Sequence, residues 1–221
     1  MLERILPVTA TVRATREDLD TELFPEEEAA IERAVEKRRR EFVTARACAR
    51  EALAQLGQPP RPILSGPHGE PLWPSGIVGS ITHCDGYRAC AVAPACDLLT
   101  IGVDAEPDLP LPDGLLGDIA LPEERLLLRE LARQAPGTHW DRLLFSIKES
   151  IYKAWFPLAE RWLGFEDAVV SISWERQSFS AHVLVPGPVV DGHELRSFRG
   201  SWLAAEGLVM AAIAPAATRT G

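Results

Sequence analysis

The stretch Ile101-Gly-Val-Asp-Ala-Glu-Pro107 reads as a buried strand that stops abruptly at two carboxylates, and the segment Pro107–Pro112 reads as a hinge. Asp104 and Glu106, at positions i and i+2, face the same side of a strand, about 7 Å apart along it. Two hard oxygen donors on one rigid edge suit Mg²⁺, which takes one or two carboxylates and leaves room for phosphate oxygens. Two solvated acids at a strand end are the plainer alternative.

On the N-terminal side of the hinge, residues 4–15 alternate in part and predict a first strand. After Pro25, the apolar residues Ile31, Val35, Phe42, Ala49, Leu53 and Leu56 recur at helical steps, and Gly57 with Pro59 and Pro60 forms a stop. A Gly/Pro-rich stretch from Pro59 to Gly76 is too broken for a regular element. Short apolar runs at 77–82, 87–93 and 98–103 predict strands, the first two paired around Asp85-Gly86. On the C-terminal side, Pro122 opens a helix with Glu123 and Glu124 in its first turn. A second helix is expected from Trp140 to Phe156, stopped by Pro157. Strands are expected at 168–174, 179–185, 194–203 and 207–214, with a frayed tail from Ala216. No repeat is visible, and two α/β halves packed side by side, 1–107 and 108–221, are the simplest architecture.

Of the 221 residues, 46% are hydrophobic and 25% charged, enough to bury a full core and too apolar for a disordered chain. The net charge of −9 leaves no global basic footprint for nucleic acid. The longest apolar stretch, Leu208 to Ala217, is broken by Pro215 and is half a membrane span. The N-terminus MLERILPV lacks the pattern of a signal peptide, so a cytoplasmic protein with no membrane association is expected. Cys48, Cys84, Cys90 and Cys96 form no C-x-x-C pair and read as structural thiols of a reducing compartment.

Three further segments carry chemistry. In Phe145-Ser-Ile-Lys-Glu-Ser-Ile-Tyr-Lys-Ala-Trp155, Glu149 and Lys153 share a helix face, and Lys148 lies a hundred degrees round, flanking the same surface. A third carboxylate reaching a metal, with lysines meeting phosphate oxygens, is the sharp reading; a surface ion pair is the plain one. In Val78-Gly-Ser-Ile-Thr-His-Cys84, the donors Ser80, Thr82 and His83 follow Gly79, which permits a ligand to approach closely. The run Lys37-Arg-Arg-Arg40, with Arg46 and Arg50, is the densest positive charge in the chain; Arg39, Arg46 and Arg50 fall near one helix face. It offers either a phosphate site or a solvated face.

In this order, Arg46-Ala-Cys-Ala-Arg50, Trp73-Pro-Ser-Gly76, G-S-x-T-H at 79–83, G-V-D-A-E-P at 102–107, F-S-x-K-E-S-x-Y-K-A at 145–154 and Arg161-Trp-Leu-Gly-Phe165 resemble the 4′-phosphopantetheinyl transferases. The resemblance runs from about Arg38 to Glu166. It is closest in kind to the monomeric, pseudo-dimeric class typified by the surfactin and enterobactin synthase activators, in an actinobacterial-like form. It implies a pseudo-twofold α+β fold with the active site between the halves. It also implies transfer of the phosphopantetheine arm of coenzyme A to a serine of apo acyl or peptidyl carrier proteins, releasing adenosine 3′,5′-bisphosphate. Mg²⁺ or Mn²⁺ would be held by Asp104, Glu106 and Glu149. Lys153 would meet the pyrophosphate with Lys148 beside it, and Arg46, His83 and Thr82 would lie by the 3′-phosphate and adenosine, with Arg38 from the arginine run. Ser65-Gly-Pro-His68 falls where the family wraps the nucleotide, with Ser65 and His68 in place of a frequent lysine. Asp104, Glu149 and Lys153 would carry catalysis, Glu149 or a water it orients taking the serine proton, without a covalent intermediate.

The aromatic cluster Trp155, Phe156, Trp162 and Phe165, with Leu163, serves either core packing or a pantetheine channel. Two rival functions keep the same residues: a metal-dependent phosphohydrolase of a nucleotide pyrophosphate, and a non-enzymatic coenzyme A-binding module.

Overall fold

The computed structural model describes residues 1–218. The N-terminal part contains a 3-10 turn at Leu2–Arg4, β1 (Thr11–Thr15), α1 (Pro25–Ala30), α2 (Glu36–Gln55), β2 (Ile77–Cys84) and β3 (Tyr87–Pro94). The single strand expected over 4–15 is thus confined to its second half. The continuous helix expected after Pro25 is two helices, because Val35, counted in the apolar series, is 72% exposed and caps α2 rather than continuing α1. Helical spacing from Ile31 simply coincides across a turn. Helix α2 ends as its sequence requires: Gly57 takes φ +72° and the Gln58 N–H returns to the Leu53 carbonyl. β2 and β3 form the expected hairpin, closed by Cys84 opposite Tyr87, and β1 joins on the far side of β3 to give the order β1-β3-β2.

The remainder contains β4 (Gly102–Pro107), α3 (Leu116–Ile119), α4 (Pro122–Gln134) and α5 (Trp140–Ala159), then β5 (Ala168–Ser173) and β6 (Ser178–Val183). A small hairpin of β7 (Val189–Val190) and β8 (His193–Glu194) follows, then β9 (Ser197–Ala205) and β10 (Leu208–Ile213). The second sheet runs β4-β10-β9-β6-β5, its neighbouring strands antiparallel. β4 precedes the hinge in sequence yet pairs with β10, and it begins only at Gly102. Upstream of it, Leu98 and Leu99 are taken by the C-terminal segment through the Leu98–Ala216 bridge and the Leu99 N–H to the Pro215 carbonyl. The tail expected to fray from Ala216 is therefore pinned there, with Ala217 bonded to the Asp97 carbonyl; residues 219–221 lie outside the described residues. Pro157 does not stop α5, which continues to Ala159 and ends where Glu160 takes φ +49°.

The α+β fold of two halves is present: α2 and α5, each of 20 residues, lie on their respective antiparallel sheets. The halves meet where β2, an edge of the first sheet, runs beside β4, an edge of the second. The seam is made by hydroxyls: Ser80 Oγ accepts the Val103 N–H at 3.1 Å, and Thr82 Oγ1 accepts the Ala105 N–H at 3.0 Å. α5 sits on β4 so closely that a Cβ at Gly102 would lie 2.0 Å from the Ser150 carbonyl oxygen and 2.7 Å from the Ala154 nitrogen. Both are backbone atoms of the helix and cannot rotate aside. Gly102→Ala is expected to cost about 3 kcal/mol or more, read as a lower urea midpoint with loss of turnover. An unchanged midpoint would show that α5 can move off β4 freely.

Candidate active site

Where the halves meet there is a cavity of about 1080 Å³ lined by both. α2 contributes Arg38 and Arg46, the loop after α2 contributes Ser65 and His68, β2 contributes Thr82 and His83, β4 contributes Asp104 and Glu106, and α5 contributes Glu149 and Lys153. Ten of the eleven expected site residues are thus brought to one cleft.

Lys148 is the exception. Its ammonium is 2.7 Å from Glu124 of α4 and donates to the carbonyls of Ile119, Phe165 and Ala168, with almost no exposure. A step of a hundred degrees along α5 carries it off the cavity face and into the packing between α4, α5 and the loop before β5. Burial pulls its pKa down, and Glu124 works against that. Lys148 is a structural cation, which corrects its expected place beside the coenzyme. The arginine face is corrected as well: Arg50 turns to Glu27 at 2.8 Å, outside the cavity lining, and Arg38 rather than Arg39 joins Arg46 in the cleft.

At the acidic end, Asp104 is 5% exposed. Its Oδ1 accepts from Lys153 Nζ at 2.6 Å and from the Thr82 hydroxyl at 3.2 Å, while its Oδ2 is buried with no protein partner. Thr82 therefore serves twice, accepting from the strand and donating to the acid. Lys153 also donates to the Val103 carbonyl at 3.2 Å. Glu106 pairs with Arg142 Nη1 at 3.0 Å, yet burial and the neighbouring Asp104 push its pKa up to about 7 against that cation. Glu149 is also raised, by burial first, with Lys153 opposing.

No three His, Cys, Asp or Glu side chains among the described residues stand at metal-ligand spacing. Lys153 and Arg142 each hold one acid apart from the others. An orphaned buried carboxylate oxygen beside two acids whose charge is disfavoured is nevertheless a donor set that fits a hard divalent cation.

At the basic end, Arg46 lies over the Phe42 ring, its guanidinium carbon 4.2 Å from the centroid. Its Nε donates to the Ile63 carbonyl at 2.8 Å and its Nη2 to the Ser65 hydroxyl at 3.1 Å. Burial draws its pKa down to about 10, well above neutrality. Arg38 Nη1 is 2.7 Å from His83 Nε2, and burial with that guanidinium keeps the imidazole pKa below its ordinary value. His83 is thus neutral at pH 7, with Nε2 the acceptor.

The loop 64–72 is a small hairpin, with Ser65 bridged to Pro71 and the Leu72 N–H bonded to the Leu64 carbonyl; its tip, His68, packs on Phe156 of α5 at 5.1 Å between centroids. Gly79 was expected to make room for a ligand. The space is taken instead by the Trp73 ring, 2.8 Å from where a Cβ would stand, with the indole N–H donating to the Gly79 carbonyl. The aromatic cluster divides: Trp155 and Leu163 are core, Phe165 packs on Phe145, Phe156 lines the cavity, and Trp162 is 67% exposed against Tyr152.

Sequence reasoning missed Arg142 and Gly102. Arg142 had no signal, since its partners Glu106, Leu109 and Pro110 are distant in sequence. Gly102 had one, a glycine opening a run otherwise made for a strand interior.

A cleft between two α/β halves, with acids and a lysine at one end and arginines at the other, defines an enzyme that handles a phosphorylated substrate. Family models match both parts of the chain: the 4′-phosphopantetheinyl transferase N-terminal domain over residues 26–93, and the 4′-phosphopantetheinyl transferase superfamily over residues 100–206. The chain belongs to this family and is a transferase. It is 55% identical to the 4′-phosphopantetheinyl transferase Svp of Streptomyces mobaraensis, over 88% of this chain and 79% of that one. It is 48% identical to the 4′-phosphopantetheinyl transferase Npt of Nocardia iowensis, over 97% and 99%. To the enterobactin synthase component D of Escherichia coli K12 it is 33% identical, over 70% and 71%.

Lys148→Met strands Glu124 as an unpaired buried acid. The variant is expected to lose about 3–5 kcal/mol of stability, read by urea unfolding, at unchanged affinity for coenzyme A. Weaker coenzyme binding in a variant of unaltered stability would return Lys148 to the cleft.

Proposed function

We propose that this enzyme transfers the 4′-phosphopantetheine arm of coenzyme A to a serine hydroxyl of apo acyl and peptidyl carrier proteins, releasing adenosine 3′,5′-bisphosphate. The observation that carries the reading is the buried, unpartnered Oδ2 of Asp104, placed beside Lys153 in a cleft whose other end holds Arg46. Asp104, Glu106 and Glu149 would hold a divalent cation, Mg²⁺ or Mn²⁺. When bound, it supplies charge neutralisation to the pyrophosphate as the P–O bond breaks.

The protein's own residues then divide the work. Arg46 and Arg38, the latter braced by neutral His83, hold the 3′-phosphate end of the nucleotide. Ser65 and His68 line its flank. Lys153 faces the pyrophosphate and stabilises charge on the departing oxygen. Glu149, held partly protonatable by burial, accepts the serine proton directly or through a water. The serine oxygen forms the new bond to the phosphorus that carries the pantetheine, and the bridging oxygen leaves with the nucleotide. Thr82 fixes the Asp104 carboxylate throughout. Both halves of one chain complete the cleft, so the enzyme acts as a monomer. Among the described residues no helix is long and apolar enough to cross a membrane, and all four cysteines are free.

Intact-mass spectrometry of an apo carrier protein incubated with this enzyme, coenzyme A and Mg²⁺ is expected to show the gain of one phosphopantetheine arm, abolished by chelator. Coenzyme A consumed without that gain would identify a hydrolase instead. Asp104→Ala is expected to abolish turnover in a folded protein; substantial Mg²⁺-dependent activity would refute the metal assignment. Arg46→Ala is expected to raise KM for coenzyme A about tenfold while barely changing KM for its 3′-dephospho form, as loss of a charged hydrogen bond to the 3′-phosphate requires. Equal effects on both would remove that contact.

A further inference from the structure

Two buried glutamates occupy matching places in the two halves. Pro25-Glu-Glu27 opens α1, and Pro122-Glu-Glu124 opens α4. Each final glutamate reaches back to cap its own helix, accepting the Phe24 N–H at 3.1 Å or the Leu121 N–H at 2.8 Å. Each pairs with a cation on the long helix of its half, Arg50 or Lys148. Each also accepts the N–H of a segment well beyond that helix's cation: Glu27 Oε1 takes Ile63 at 2.9 Å, and Glu124 Oε1 takes Val170 at 2.8 Å. The chemistry is the same, but the third partner differs in consequence. Val170 is interior to β5, away from the cavity lining, whereas Ile63 is the residue whose carbonyl accepts from Arg46.

The Ile63 backbone is therefore clamped from two sides, its N–H by Glu27 and its C=O by Arg46. Ser65, bonded to the same guanidinium, starts the hairpin 64–72 that lines the cleft. Glu27 is fully buried and is not part of the cavity wall. We propose that Glu27, with Arg50, is a positioning residue for the coenzyme A subsite, fixing Arg46 and the root of the 64–72 hairpin through Ile63. The inference rests on the reading of Arg46 as the contact to the 3′-phosphate.

Glu27→Gln keeps the shape but removes the charge. Its amide nitrogen would face donors, either the Ile63 N–H or the Arg50 guanidinium together with the Phe24 N–H, so at least one of the three contacts is lost. Arg46 also loses the carboxylate that opposes the cost of its burial.

The test measures Kd for coenzyme A and for 3′-dephospho-coenzyme A by calorimetry on the full chain, for the parent, Arg46→Ala, Glu27→Gln and Glu124→Gln. The last makes the same change in the matching network of the other half and serves as the structural control. Glu27→Gln is expected to weaken coenzyme A binding about tenfold and to leave the dephospho form within about twofold, so that discrimination collapses as in Arg46→Ala. Glu124→Gln is expected to lower stability and leave discrimination intact. Discrimination retained in Glu27→Gln but lost in Arg46→Ala would overturn the positioning role alone. Discrimination retained in both would overturn the subsite reading beneath it, and discrimination lost in Glu124→Gln as well would make the effect a general loosening. If Glu27→Gln does not fold, Arg50→Met decides: it leaves the glutamate its two N–H partners without its cation, and unchanged discrimination there would sink the proposal.

Discussion

The missing side chain at Gly102 is the constraint on which the site depends. α5 presses its backbone at Ser150 and Ala154 into the space a Cβ would fill. Thr100 anchors the same contact by donating to the Ala154 carbonyl at 2.9 Å. Ile147, Ile151, Ala154 and Trp155 are then wholly buried, and each large side chain among them contributes about 1.5–3 kcal/mol by leaving water. With the helix held at that distance, Lys153 spans from α5 to Asp104 and to the carbonyl of the residue before it. A helix standing an ångström further off would leave the lysine reaching across a gap and Asp104 facing the cleft unneutralised. The packing of α5 on β4 thus also sets the Lys153–Asp104 pair on which the proposed chemistry rests.

The second requirement is a seam between two sheets that do not continue into one another. β2 and β4 are both edges, and an edge strand carries N–H groups that must be satisfied or covered. Here Ser80 and Thr82 supply side-chain hydroxyls in place of a backbone ladder, accepting from Val103 and Ala105. That solution joins the strands without a continuous ladder, and residues of both line the cleft. Because the Thr82 hydroxyl has both a proton and lone pairs, it joins the seam to Asp104 at no further cost in buried polar groups. A valine there would fill the same volume, leave the Ala105 N–H unsatisfied and take from Asp104 one of its two donors.

What the sequence made legible was local. The β2–β3 hairpin around Asp85-Gly86, the capped end of α2 at Gly57, and the α5 face bearing Glu149 and Lys153 all follow from residues a few positions apart. The four C-terminal strands were placed within a few residues for the same reason. What was not legible depended on partners far along the chain. β4 looks like the last strand of the first half until its register with β10 is known. Lys148 looks like a neighbour of Lys153 until Glu124 and three carbonyls are found waiting on the opposite side. Pro157 looks like a stop, but a proline in the last turn of a helix removes only one bond and ends nothing that the packing of α5 sustains. Even the duplication was present unseen: Pro-Glu-Glu recurs at 25–27 and 122–124, too short to register as a repeat until both glutamates are seen performing the same three-way contact.

The charge distribution gives that duplication a functional sense. A chain of net charge −9 must bind a polyanion through local arrangement alone. In each half a buried glutamate consumes one cation structurally, Arg50 in the first and Lys148 in the second. The neighbouring cation on the same helix, Arg46 or Lys153, is left with a polar face toward the cleft. The first half thus presents Arg38 and Arg46 to the cavity, and the second presents Lys153, which is paired with Asp104. Glu106 and Glu149 stand on the Lys153 side, where burial disfavours their charge. On the proposed reading, a substrate with phosphates at both ends would lie with its terminal phosphate toward α2 and its pyrophosphate toward Asp104, Glu106 and Glu149. That orientation would bring the reacting phosphorus to Glu149.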